Sequence, residues 1–286
     1  MAVYKRGYQR YSGPLTGRWT RFLVLPRYAW RRLYQQRLVL LLTILSLVWP
    51  LLCTGFVYLT NHVELLQGLD QEFRQFIQVD GRFFSIFMYV QAGFAVFIAA
   101  LAGPSLIAPD LANNALPLYF SRPLTRWTYA LARLTVLVGM LSIVTWIPGL
   151  ILFGLQVGLA GGSWFRANWT LGAGMVAGFF IWLLVLSLVA MASSAYVRWR
   201  VVAAAVSLAF FFILAGVAEM IDNVLRVSWG HIIDPAWAVN QVWRALLGVA
   251  PIEGPSAGAS SWALAAMVVL LVVVIERKLR PVEVVS

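Results

Sequence analysis

Asp110, Arg122 and Arg126 are the residues best spaced to do chemistry, within "APDLANNALPLYFSRPLTRWTYALARL" at 108–134. A carboxylate among guanidiniums at a membrane interface can relay a proton or seat a phosphate, as a lipid-active enzyme requires. The rest of the sequence does not extend that chemistry. No GxxxxGK[ST], HExxH or CxxC pattern occurs, and the two lysines, Lys5 and Lys278, lie in terminal segments. The chain therefore cannot cradle ATP phosphates in a P-loop. Cys53 is the single cysteine and sits in an apolar run, which leaves no disulfide framework and no zinc cluster. His62 and His231 fall in connections, where a solvated imidazole is the expected state. No catalytic set, metal site or cofactor site is expected in this chain.

The chain around these residues is mostly hydrocarbon. Of 286 residues, 61% are hydrophobic and 12% charged, whereas a soluble domain is roughly half apolar and a quarter charged. Six runs can cross a hydrocarbon core of about 30 Å: about Leu38–Leu59, Phe83–Ile107, Tyr129–Gln156, Trp169–Ala195, Val201–Met220 and Ser260–Ile275. The expected fold class is an all-α, polytopic integral membrane protein with six transmembrane helices. Apart from Arg133 and Glu219 near the ends of their runs, the six interiors hold no Asp, Glu, Lys, Arg or His. Pumps and secondary transporters place such groups near the midplane, so uphill work here would need energy from elsewhere.

The net charge of +11 is distributed as an orientation signal. Seventeen of the 22 basic residues lie in 1–37, 108–133, 195–200 and 276–286, beside three of the 11 acids. That bias puts these segments and both termini on the cytoplasmic side, and it argues against nucleic acid as a partner. The expected organisation is one transmembrane domain, 1–286. It comprises a basic interfacial segment (1–37), two spans (38–107), a cytoplasmic segment (108–128), four more spans (129–275) and a basic tail (276–286).

Two segments read as interfacial helices. "RWTRFLVLPRYAWRRLYQQR" alternates apolar and basic faces, with Arg27, Trp30, Arg31 and Tyr34 at the inner membrane surface and a bend at Pro26. A basic surface helix that only fixes topology is the plainer alternative. "DPAWAVNQVWRALLG", near 234–248, starts with Asp234 as N-cap and Pro235 at the first helical position, and reads as a roof on the outer face. A third candidate stripe is Leu65, Leu69, Phe73 and Phe76. Within the runs, Gly174 and Gly178 have the spacing for close helix packing, and Pro50 and Pro148 should bend their helices. Ser46, Gln91, Thr145 and Gln156 suit either a pathway lining or interhelical hydrogen bonds.

The polar interruption is the informative stretch. Pro109-Asp110 reads as a helix start, the helix running on until Pro117 limits it, and Arg122-Pro123 breaks the chain direction. A capped turn that merely reverses the chain would need no more than this. The segment resembles the signature of ABC-2 type permeases, the membrane subunits of one group of ATP-binding-cassette exporters. Asp110, Ala115-Leu116, Ser121-Arg122-Pro123-Leu124-Thr125-Arg126 and Tyr129 match that signature, and Ala132-Arg133 stands where the family has Gly-Lys.

The resemblance implies that residues near 110–120 form a coupling helix docking on a separate ATPase subunit. Asp110, Asn113, Asn114, Leu118 and Tyr119 would make the contacts. Arg122 and Arg126 would meet acids on the partner or lipid phosphates, and Pro123 would stiffen the link. It further implies two ATPase subunits carrying ATP and magnesium, a second permease chain (identical or not), and a bacterial plasma membrane. An uncharged interior points to an amphipathic or lipid-like substrate. The alternative is a membrane scaffold that recruits a cytoplasmic partner without transport.

Overall fold

The computed structural model of the chain describes residues 18–62, 78–113 and 126–279. All regular structure among them is helical, and six helical segments are long and apolar enough to span a membrane: Arg37–Asn61, Gly81–Asp110, Trp127–Ala160, Gly162–Tyr196, Arg200–Leu225 and Ala257–Lys278. The chain is a multi-pass membrane protein. Helices are what such apolar runs must form, because hydrocarbon offers no hydrogen-bond partner to a backbone left open.

Helix α1 (Arg18–Tyr34) precedes span 1, which is α2 (Arg37–Ser46) followed by α3 (Val48–Asn61). Span 2 is α4 (Gly81–Ala102) and α5 (Pro104–Ala112); span 3 is α6 (Arg126–Val144) and α7 (Trp146–Ala160). Spans 4 and 5 are the unbroken helices α8 (Gly162–Tyr196) and α9 (Arg200–Leu225). After a short 3-10 turn at Gly230–Ile233 come α10 (Pro235–Leu246) and span 6, α11 (Ala257–Leu279). Each broken span carries a proline in the first turn of its second piece: Pro50, Pro104 and Pro148. There the missing N–H interrupts the hydrogen-bond ladder.

Several sequence expectations are corrected in position. Pro109 does not start a helix: α5 begins at Pro104 and carries Pro109 inside it to Ala112. Span 4 starts at Gly162, well before Trp169. The cause is Gly161, whose φ of 87° lets the chain turn in one residue from α7 into α8, so Arg166 and Asn168 lie on the helix. The stripe Leu65–Phe76 lies outside the described residues.

Span 4 is the centre of the bundle. In its most apolar stretch 72% is buried, against 17% for span 5, and α8 packs on α4, α5, α6, α7, α9, α10 and α11. Its glycines admit close neighbours. A Cβ on Gly178 would stand 2.5 Å from Trp243 Cδ1, and one on Gly174 2.8 Å from Leu246 O. The helix received there is α10, which is seated against span 4. Trp243 is 2% exposed and packs beside Phe179 and Trp182, centroids 5.7 and 6.3 Å away. Gln241 holds the following loop in place, donating to Ile252 O and Pro255 O and accepting from Ile252 N–H.

One end of the bundle is mainly basic (Arg31, Arg32, Arg37, Arg198, Arg200, Arg277 and Lys278, with Asp110 and Glu276), and the opposite end bears acids (Asp80, Glu219, Asp222, Asp234, Glu253) together with Arg82, Arg166, Arg226 and Arg244. At the latter, Asp234 caps α10, its Oδ1 accepting from Ala236 N–H at 2.9 Å. Burial raises its carboxyl above the usual range, partly offset by backbone hydrogen bonds from Trp237 and Ala236. A raised acid stabilises the fold below its ordinary value of about 3.9 and loses that contribution as pH rises through the folded value. Asp234→Asn keeps a capping oxygen without the buried charge. Its melting temperature relative to wild type should therefore climb from acid to neutral pH. Asp234→Ala should cost about 1 kcal/mol, and thermal unfolding in detergent measures both.

Candidate functional site

The candidate site is the junction at the basic end where α5 meets α6. Asp110 is the last residue of span 2, and its Oδ2 accepts from Tyr129 Oη at 2.7 Å and pairs with Arg133 Nη2 at 2.5 Å. Tyr129 and Arg133 are four residues apart on α6, which puts them on one face; the guanidinium also lies 5.1 Å from the Tyr129 ring centroid. The ion-pair side chains are 14% and 10% exposed, so the junction is mostly shielded from solvent. Arg133, expected near a span end, is thus a buried charge tying span 3 to span 2.

A second tie runs from α5 to span 4. Ser194 on α8 inserts into the first turn of α5: its Oγ accepts from Ala108 N–H at 2.9 Å and donates to Pro104 O at 3.4 Å. Those two backbone groups are a normal helical pair, so the serine is spliced into the ladder. Gly103 allows the approach, since a Cβ there would stand 2.5 Å from Ala190 Cβ. Next along α8, the Ser193 and Ser207 hydroxyls lie 2.5 Å apart and join span 4 to span 5.

α1 completes the junction by packing on α6. Trp30 Nε1 donates to Val136 O at 2.8 Å, and its ring occupies the space that a Cβ on Gly139 would need. Tyr34 is half-buried, and burial raises its hydroxyl pKa. Arg27 and Arg31 are exposed. Between α1, α5 and α6 is a cavity of about 160 Å³ lined by Tyr28, Arg32, Ser105, Asp110 and Arg133.

Of the residues singled out in the sequence, Asp110 is in this junction and Asn113 is exposed just beyond α5, its Nδ2 donating to Pro109 O. Arg126 opens α6. Asn114, Leu118, Tyr119, Arg122 and Pro123 lie outside the described residues. Sequence reading placed Asp110 with Arg122 and Arg126 and missed Arg133, Tyr129 and Ser194 as its surroundings. The available signal was a tyrosine and an arginine one helical turn apart at the start of an apolar run. One further pattern, Gly254-Pro255-Ser256-Ala257-Gly258, has the GxSxG form of a nucleophile elbow. It resolves into a helix cap: Ser256 Oγ accepts from Ala259 N–H at 3.2 Å, and coil, not a strand, precedes it.

Among the described residues, no cluster of three or more His, Cys, Asp or Glu could hold a metal ion. The junction is chemically a strut: an acid shared by a phenol and a guanidinium, which ties α5 to the first turns of α6. No protein-family model matches the chain, and no curated protein matches it.

Proposed function

We propose that the chain is the permease subunit of an ABC-2 type exporter in a bacterial plasma membrane. Its basic end faces the cytoplasm, and two such chains pair above two ATPase subunits that hold ATP and magnesium. The 108–128 segment receives the push of nucleotide-driven closure, and the junction passes it to spans 2, 3 and 4. The cargo is amphipathic or lipid-like, in keeping with spans that carry almost no charge.

The observation supporting this reading most strongly is the convergence at Asp110. Three residues of the resembling segment, Asp110, Tyr129 and Arg133, lie up to 23 positions apart and share one hydrogen-bonded cluster. A segment anchored so at both its ends can transmit force; a solvated loop cannot. The positions to test are those beyond the anchors. Tyr119→Ala combined with Arg122→Glu should leave membrane insertion unchanged and weaken copurification of a P-loop ATPase by about tenfold or more, a loss of roughly 1.4 kcal/mol. Undiminished copurification would remove the docking assignment. A partner that binds without hydrolysing nucleotide would favour the scaffold.

A further inference from the structure

Gln91 lies fully buried along α4, and its side-chain Nε2 donates to two backbone carbonyls on two other spans: Ser46 O at 3.0 Å and Val144 O. These are the carbonyls that proline frees. A helical residue donates to the carbonyl four before it, and Pro50 and Pro148 have no N–H to give to Ser46 and Val144. One amide thus serves the breaks in spans 1 and 3 together. Exchanging its oxygen and nitrogen would turn an acceptor toward two acceptors, so the orientation follows from chemistry. Neighbouring carbonyls are taken by hydroxyls: Thr43 Oγ1 donates to Val39 O, Ser46 Oγ to Thr43 O, Ser142 Oγ to Val138 O and Thr145 Oγ1 to Leu141 O. Such back-bonding loosens and bends helices.

The two sides of the breaks are built differently. Toward the acid-bearing end, α3 and α7 pack along each other, and Asn61 Nδ2 donates to Gln156 Oε1 at 2.7 Å near their far ends. Toward the basic end the halves have different main neighbours, α2 packing on α4 and α6 on α1 and α8. Among the described residues, recesses open to the surface border the α3–α7 pair on both flanks, beside the stretch where α7 packs on α8. A half-open recess of about 720 Å³ lies between α3 and α4, lined by Trp49, Cys53, Phe56, Phe83 and Ile86, with Asp80 and Arg82 at its outer end. A groove of about 800 Å³ lies between α7 and α8, bordered by Leu150, Phe153, Trp169 and Ala177.

We propose that α3 and α7 form a single intramembrane leaf that turns about a joint pinned by Gln91, with the two flanking spaces as its room to move. The joint does not depend on what supplies the energy, so it stands or falls separately from the ATPase reading. Its test is a rescue. Gln91→Leu strands two carbonyls in an apolar interior and should lower the melting temperature in detergent by about 5 °C or more. In a Pro50→Ala/Pro148→Ala background the helices close their own ladders, and the same Gln91→Leu change should cost at most half as much. If Gln91→Leu alone does not fold, recovery of folded protein in the triple variant is the equivalent result. An equal cost in both backgrounds, or no recovery, overturns the pin. For motion, spin labels at Leu159→Cys and Trp262→Cys, in a Cys53→Ala chain, report the leaf against span 6. The distance distribution should narrow when both prolines are replaced, and an unchanged width overturns the joint.

Discussion

Arg133→Met should lower stability by about 3 kcal/mol, read as thermal or denaturant unfolding of the purified protein in detergent. The variant keeps an apolar stem but removes the guanidinium that neutralises the Asp110 carboxylate, 14% exposed, while the Tyr129 hydroxyl still donates to it. A charge stripped of its counter-ion in a shielded place costs more than the pair contributed. Asp110→Asn likewise strips Arg133, 10% exposed, of its counter-ion and should also destabilise, although its amide oxygen still accepts from Tyr129. The double variant Asp110→Asn/Arg133→Met carries neither charge and should be more stable than Arg133→Met alone. That non-additivity is the signature of direct coupling. Single variants both within about 0.5 kcal/mol of wild type would show that the pair holds nothing together.

Gly178→Leu should have the next largest effect, about 2–3 kcal/mol. Any Cβ at this position would meet Trp243 at 2.5 Å and Met88 at 2.9 Å, and Trp243 is too enclosed to yield. The expected outcome is expulsion of α10 from its seat, visible as a red shift in tryptophan emission alongside the lower melting point. Gly216→Leu is the matched control, since nothing stands within 4 Å of a Cβ there. Both substitutions gain helix propensity of up to about 1 kcal/mol, so the difference between them isolates the clash. Equal melting points for the two would mean that α10 does not rest on span 4.

The spans were legible because apolar runs separated by charge are what a bilayer selects, and each expected run overlaps one observed span. Their ends were less legible. Arg166 and Asn168 look like a connection by polarity, yet helix continues through them once Gly161 has made the turn. The breaks at Pro50 and Pro148 follow from proline chemistry, so the sequence alone foretold them. What captures their carbonyls did not, because Gln91 lies 45 and 53 positions from its acceptors and nothing local marks the pairing. The same holds for Asp110 with Arg133 and for Trp243 on Gly178. Each half had a plausible local role, and long-range pairing is information that one sequence without its relatives does not display.

The proposal that energy enters from a nucleotide-hydrolysing partner is tested most directly in proteoliposomes with a fluorescent phospholipid as probe. The chain is reconstituted alone and with its copurified ATPase, and the probe's distribution between leaflets is followed after ATP is added. The expected result is ATP-dependent accumulation of probe in one leaflet with the partner present and none with the chain alone. Accumulation against the gradient by the chain alone would contradict it.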